Sequence, residues 1–266
     1  VQPWQHWRMA NFEPVPAFND NYIWLINDPP SRAAAVVDPG EATLVLQILE
    51  KRDLELAAIL LTHHHGDHVG GVADIVRVHD APVFGPAQER ISAVDHPVED
   101  GDLVPIQGFG FDLEVIGVPG HTAGHIAYLG SDFALVGDTL FAGGCGRLFE
   151  GTPEEMNASL KRLAALPCET RIYCAHEYTI ANLRFAREVE PANEALEARL
   201  DDAVQLRARG LPTVPSTLSE ELETNPFLRC HLPQVASAAE SWSGLDVPTE
   251  VDVFTAVRNW KDGWRG

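Results

Sequence analysis

The chain has 266 residues, 45% of them apolar, which is enough to bury one large core or a medium one plus a smaller one and excludes a disordered polypeptide. Its formal net charge of −20 excludes a broad surface for phosphates or anionic lipid headgroups, because both need clustered Lys and Arg. An anionic substrate would have to be met by a few locally placed cations.

From the start, Val1 to Phe12 shows no basic segment followed by an apolar one, and no later stretch approaches the ~20 apolar residues that span a bilayer. A cytoplasmic location with no membrane partner is expected. Short apolar runs follow at Tyr22 to Ile26, Ala34 to Val37, Leu56 to Leu61, Phe111 to Val118, Ile126 to Leu129 and Phe133 to Val136. Most are bounded by Pro, Gly or Asp and several are rich in β-branched or aromatic residues, so they predict strands. Glu41 to Lys51 sets Leu44, Val45, Ile48 and Leu49 on one helical face, and Thr152, Pro153 and Glu155 form a capping-box start for a helix through Leu166. Strands and helices interleave, the pattern of a layered α/β domain.

Beyond Tyr178 the sequence changes character. Ile180 to Arg209 is mostly good helix formers, with Pro191 separating two helices and Gly210 and Pro212 marking a stop. A last helix is predicted over about Glu250 to Trp264. The domains are therefore expected at 1–178 and 179–266, the second smaller and helical. The four cysteines, Cys145, Cys168, Cys174 and Cys230, form no CxxC pair and are too scattered for a disulfide scaffold, so reduced thiols are expected. Cys145 and Cys174 are expected to be small buried residues.

The sharpest feature is Thr62-His63-His64-His65-Gly66-Asp67-His68, directly after the run ending at Leu61. Four of the eleven histidines fall within these six positions from 63 to 68, at the carboxyl end of a predicted strand, where α/β folds place their sites. A solvated turn is the ordinary explanation of a lone histidine, but it does not account for this density. In an extended stretch His63 and His65 point the same way, and a turn at Gly66 would send Asp67 and His68 toward a neighbouring centre. His121 in Pro119-Gly120-His121, Asp138 in Val136-Gly137-Asp138 and His176 in Cys174-Ala175-His176 each follow a plausible strand. Imidazole and carboxylate without thiolate suit zinc, iron or manganese. His6, His64, His79, His96, His125 and His231 are read as surface, core or supporting residues.

The pattern His-x-His-x-Asp-His followed by separated His, Asp and His resembles the metallo-β-lactamase superfamily. Within it the chain is similar to glyoxalase II, the hydroxyacylglutathione hydrolases. That narrower resemblance rests on Asn19-Asp20-Asn21-Tyr22, on Gly144-Cys145-Gly146-Arg147-Leu148-Phe149-Glu150-Gly151-Thr152, on His176-Glu177-Tyr178-Thr179 with Asn182-Leu183, on Asn225-Pro226-Phe227-Leu228-Arg229, and on the pair Arg258 and Lys261. It implies an αββα sandwich with a smaller C-terminal helical domain. It further implies that His63, His65 and His121 bind one metal, that Asp67, His68 and His176 bind a second, and that Asp138 bridges the two, Asp67 and Asp138 being the catalytic carboxylates. Arg147, Tyr178, Arg258 and Lys261 would contact the glutathione part of the substrate. Some members carry Lys in place of Arg147 and Tyr in place of Phe149, so a hydroxyl contact at Phe149 is lost here.

The resemblance implies hydrolysis of S-D-lactoylglutathione to D-lactate and glutathione by metal-activated water, with two divalent ions, zinc first and iron or manganese as substitutes. A monomer acting on a small-molecule glutathione thioester, with no nucleic-acid partner, is expected. The competing readings are a single-iron persulfide dioxygenase, which shares the metal motif, and a nucleic-acid-processing member, which the charge of −20 disfavours. A β-lactamase or lactonase would leave the helical tail unexplained.

Overall fold

The computed structural model describes residues 10–29 and 31–266, so His6 and most of the Val1 to Phe12 segment lie outside the described residues. The first sheet has six strands in sequential order: β1 (Asn11–Ala17), β2 (Asn21–Asn27), β3 (Ala33–Val37), β4 (Glu55–Leu60), β5 (Val83–Pro86) and β6 (His96–Val98). The first three run antiparallel, and β3 through β6 run parallel. Sequence reasoning passed over β1 because Pro14 and Pro16 interrupt it. Both are tolerated because β1 lies at the sheet edge, where a missing N–H breaks no central ladder.

Parallel neighbours need crossovers. Helix α1 (Thr43–Arg52) joins β3 to β4, and the short helices α2 (Gly66–Val69) and α3 (Val72–Val76) lie between β4 and β5. Val15, Ile23, Leu25, Val36, Leu49, Ile59, Leu61, Val72 and Ile75 form one buried cluster of sheet and helix side chains. The expected turn at Gly66 is instead a one-turn helix, with His65 at its N-cap in extended conformation.

The second sheet has the order β14-β13-β10-β9-β8-β7. Its strands are β7 (Leu103–Pro105), β8 (Asp112–Gly117), β9 (Ile126–Leu129), β10 (Phe133–Gly137), β13 (Arg171–Cys174) and β14 (Ser216–Thr217), while β11 (Leu140–Phe141) and β12 (Gly144–Cys145) form a separate hairpin. Two compact units are distinguished: residues 1–116 with 128–130, and residues 117–127 with 131–266.

In the second unit, α4 (Pro153–Ala164) connects β10 to its parallel neighbour β13. It begins with the predicted capping box, Thr152 accepting from the Glu155 amide and Glu155 returning the contact. The tail holds α5 (Thr179–Val189), α6 (Glu194–Ala208), α7 (Leu218–Thr224), a single 3-10 turn at Pro226–Leu228, α8 (Pro233–Ser243) and α9 (Glu250–Gly263). Pro191 sits in the break between α5 and α6, as the sequence predicts, and Asn193 caps α6 by accepting from the Leu196 amide. Helices α7 and α8 were not anticipated. The first has only seven residues, and the second is defined by its ends, with Pro233 in the first turn and Gly244 at φ +69° after the last. Buried Phe185, Phe227 and Phe254 pack together in this tail, with successive ring centroids 6.3 and 5.7 Å apart. Among the described residues no helix is long and apolar enough to cross a membrane.

Candidate metal centre

The histidine-rich segment leaves the carboxyl end of β4, and Asp38 leaves the end of β3, its parallel neighbour, with Val37 beside Leu60 in register. Asp38 is buried at φ +51°, a left-handed conformation that aspartate tolerates better than most residues. Its Oδ1 accepts from the Thr62 amide at 2.8 Å and its Oδ2 from the Thr62 hydroxyl at 2.7 Å, while His68 Nδ1 lies 3.0 Å from Oδ2.

These contacts fix the protonation of one imidazole, that of His63. The Thr62 hydroxyl has one proton and gives it to Asp38, so at its 3.0 Å contact with His63 Nδ1 it must accept. His63 therefore carries its proton on Nδ1, and its Nε2 presents a lone pair. His68 turns its Nδ1 toward the same carboxylate, at 3.0 Å. Hydrogen bonding of the distal ring nitrogen is how metal-binding histidines are oriented.

Asp38, His63 and His68 bring ligand atoms within 4.8 Å of one another. Because both oxygens of Asp38 are already engaged, it serves to orient the rings. The His63 ring centroid lies 4.1 Å from that of His68 and 4.7 Å from that of His65. Asp67 Oδ2 accepts from Asn21 Nδ2 at 2.9 Å and sits 3.5 Å from His68 Nε2. The first unit thus gathers His63, His65, Asp67 and His68.

The second unit gathers the remaining three predicted ligands. His121, Asp138 and His176 are 4–6% exposed, and Nε2 of each histidine lies 3.4 Å from Asp138 Oδ2. His121 Nδ1 donates to the Arg147 carbonyl at 2.9 Å, which again leaves Nε2 as the lone-pair nitrogen. His125 is a supporting residue: its Nε2 accepts from the Asp138 amide at 3.1 Å, and its Nδ1 faces the Thr139 hydroxyl at 3.2 Å. With imidazole lone pairs and carboxylates converging and no thiolate among them, the residues fit a divalent transition ion.

The expected substrate-binding residues also belong to the second unit. Tyr178 stacks on His176, centroids 4.7 Å apart at 6°, and is 36% exposed. Arg147 is largely exposed, with Nε 3.6 Å from Asp262 Oδ1. Arg258 is buried. Its guanidinium lies over the Phe227 ring, donates to the Cys145 carbonyl at 3.0 Å, and pairs with Asp262 at 2.8 Å. Lys261 Nζ donates to the Ala181 carbonyl at 3.1 Å and lies over the Phe185 and Trp264 rings. Burial, then the charges of Arg258 and Arg147, push its ammonium down to about 8.

Among the described residues none of the four cysteines forms a disulfide. Burial pushes the thiols of Cys145 and Cys174 up to about 11 and about 12, so neither is a ready nucleophile. Sequence reasoning missed Asp38, yet a signal existed. It follows the apolar run Ala34 to Val37 and precedes Pro39-Gly40, the same strand-end placement by which Asp138 was found.

These features define a protein of the metallo-β-lactamase superfamily, whose family model matches residues 18–176. A second model, hydroxyacylglutathione hydrolase C-terminus, matches residues 177–264. The chain is 56% identical over 254 residues to a hydroxyacylglutathione hydrolase of Alkalilimnicola ehrlichii and 52% identical over 254 to one of Halorhodospira halophila, in each case spanning 96% of this chain and 99% of the relative. It therefore belongs to the hydroxyacylglutathione hydrolase family, glyoxalase II, whose members are thioester hydrolases. Among solved structures, ETHE1 from Myxococcus xanthus shares the fold, with a TM-score of 0.66 at 24% identity over 94% of this chain and 90% of that one. TTHA1623, solved in a di-iron-bound form, is 32% identical, with a TM-score of 0.52 over 62% of this chain and 91% of that one.

Proposed function

We propose that this chain hydrolyses S-D-lactoylglutathione, and more broadly S-2-hydroxyacylglutathiones, to the 2-hydroxy acid and glutathione, the second step of methylglyoxal detoxification. The observation that carries the reading is the meeting of His121 Nε2 and His176 Nε2 on one oxygen of buried Asp138, in a chain whose tail matches the hydroxyacylglutathione hydrolase C-terminus.

Two divalent ions are proposed, zinc by preference, with iron or manganese able to replace it. His63, His65 and His121 would hold one, Asp67, His68 and His176 the other, and Asp138 both. The di-iron form of TTHA1623 supports a paired site. When bound, the ions supply Lewis acidity that lowers the pKa of water toward ~7 and stabilises the developing oxyanion.

The chain's own residues do the rest. Asp38, through Thr62, and the Arg147 carbonyl keep the imidazole lone pairs presented. Asn21 orients the Asp67 carboxylate. His125 holds the Asp138 backbone. The leaving thiol, with a pKa near 8.5, departs as thiolate without a dedicated acid. Residues 179–266 are proposed as the substrate-binding domain and residues 1–178 as the catalytic domain. Arg147, Tyr178, Arg258 and Lys261 would engage the glutathione moiety, the cations meeting its carboxylates. A monomeric cytoplasmic enzyme is proposed.

The test follows thiol release from S-D-lactoylglutathione with purified protein, before and after chelation and zinc return. Chelation and Asp138→Ala are each expected to abolish turnover, and wild-type turnover by the Asp138 variant would refute the bridging role.

A further inference from the structure

Between Asp138 and Arg147 the chain makes the β11–β12 hairpin, and both of its ends touch the second unit's ligand group. Asp138 stands two residues before β11. After β12, Gly146 donates its amide to the Thr139 carbonyl at 3.2 Å, and the Arg147 carbonyl receives His121 Nδ1. Gly146 lies so close that a Cβ there would sit 2.0 Å from the Asp138 carbonyl oxygen and 3.1 Å from His121 Nδ1. A shift of this hairpin would therefore displace the acceptor that sets the His121 tautomer.

The tip of the hairpin is held by the helical tail. At Ala142–Gly143 the chain turns with Gly143 at φ +69°, and a Cβ there would meet Leu183 Cδ2 at 2.7 Å. Glu221 of α7 is fully buried, and its Oε2 accepts from the Gly143 amide at 2.9 Å and from Asn225 Nδ2 at 3.0 Å. Asn225 Nδ2 also reaches the Gly144 and Phe141 carbonyls, at 2.9 and 3.2 Å. Asn182 Nδ2 donates to the Ala142 carbonyl at 3.1 Å. Arg199 completes the group by pairing with Glu221 Oε1. A buried carboxylate joining two helices of the tail to a backbone amide of the hairpin is costly unless its bonds are all made, so it holds one arrangement.

We infer that Glu221, with Asn225, is a positioning residue that fixes the β11–β12 hairpin and thereby sets His121 and Asp138 for metal binding. The inference rests on reading those two residues as ligands. It gives the helical tail a part in assembling the metal centre, separate from substrate recognition.

Glu221→Gln and Glu221→Leu separate positioning from simple packing. Both lose the ion pair with Arg199, but glutamine keeps an oxygen for the Gly143 amide. Zinc-loaded protein is followed by chelator competition, by amide hydrogen exchange over residues 143–146, and by Tm. Both variants are expected to melt lower, whereas only Glu221→Leu should lose zinc affinity, by roughly 10- to 100-fold, the range for outer-shell substitutions, with faster exchange across the hairpin. Equal zinc retention in the two variants, or wild-type affinity in Glu221→Leu, overturns the inference.

If the leucine variant does not fold, Asn225→Ala removes the bonds to the Gly144 and Phe141 carbonyls and leaves the Arg199–Glu221 pair in place. It should weaken zinc binding in the same direction and speed exchange, and unchanged zinc affinity and exchange would again overturn the inference. Wild-type protein that retains zinc yet leaves the thioester intact would refute the proposed reaction while the positioning role stands. Wild-type protein that takes up no zinc would end both.

Discussion

Replacing Asp38 with asparagine should damage metal binding out of proportion to its effect on size or shape. In the native protein three contacts converge on this carboxylate: the Thr62 amide at 2.8 Å, the Thr62 hydroxyl at 2.7 Å and His68 Nδ1 at 3.0 Å. An amide oxygen can keep the first, but its NH2 group then faces the hydroxyl and the imidazole. The hydroxyl must accept from Asn and pass its own proton to His63 Nδ1, which drives His63 into the Nε2–H tautomer and withdraws the lone pair. The charge-assisted bond from the Thr62 hydroxyl, worth about 1.5–3 kcal/mol, is lost, so a stability loss of about that size is expected before local relaxation. Outer-shell changes of this kind cost roughly 10- to 100-fold in metal affinity, about 1.4–2.7 kcal/mol. Chelator competition with zinc-loaded Asp38→Asn, together with nitrogen NMR of the imidazoles, measures both effects. Wild-type affinity, or an unchanged His63 tautomer, would refute the relay through Thr62.

Three further outcomes are expected. Because burial and neighbouring cations bring Lys261 down to about 8, its ammonium is lost as pH rises through that value, so KM for the anionic thioester should climb above pH 8 with kcat steady. Lys261→Met should raise KM at neutral pH and flatten that climb, and a retained pH dependence would assign it to another group. Gly146→Ala, whose Cβ would meet the Asp138 carbonyl oxygen at 2.0 Å, should lose both bound metal and turnover, and an active, metal-replete variant would show that the backbone gives way there at little cost. A mild alkylating reagent should modify exposed Cys168 first, without loss of activity, because burial raises the thiols of Cys145, Cys174 and Cys230; inactivation in step with the first equivalent, mapped by mass spectrometry, would contradict this.

The strands that carry the site were legible because burial makes them continuous apolar runs, and ligands placed just past their ends stand out against glycine and proline. Helix starts were legible where capping chemistry is local, as at Thr152, and the break at Pro191 where one residue forbids continuation. Strand β1 was hidden because its two prolines are permitted only by an edge position, which is a property of the whole sheet. Helix α7 was hidden by its brevity, although Thr217 and Glu220 form a capping box. The seven ligand candidates could be named from spacing and family resemblance. Asp38 carried the same strand-end signal as Asp138, but Glu221 could not be ranked above other acidic residues, because its bond to the Gly143 amide joins segments 78 residues apart.

The acidic composition poses a problem for the proposed substrate. Glutathione carries two carboxylates and one ammonium, and a chain of net charge −20 repels it at long range. Arg147 and Arg258 both face Asp262, at 3.6 and 2.8 Å, so one carboxylate holds two guanidinium groups beside Lys261. Burial first, and then the repulsion of its ammonium by these guanidinium groups, lowers Lys261, and an arriving substrate carboxylate would offset that repulsion. Binding should then draw a proton onto Lys261 near pH 8. Calorimetry of a non-hydrolysable S-alkylglutathione in two buffers of different ionisation enthalpy would detect that uptake, and equal apparent enthalpies in both, at pH 8, would exclude Lys261 as the group that answers the substrate's charge.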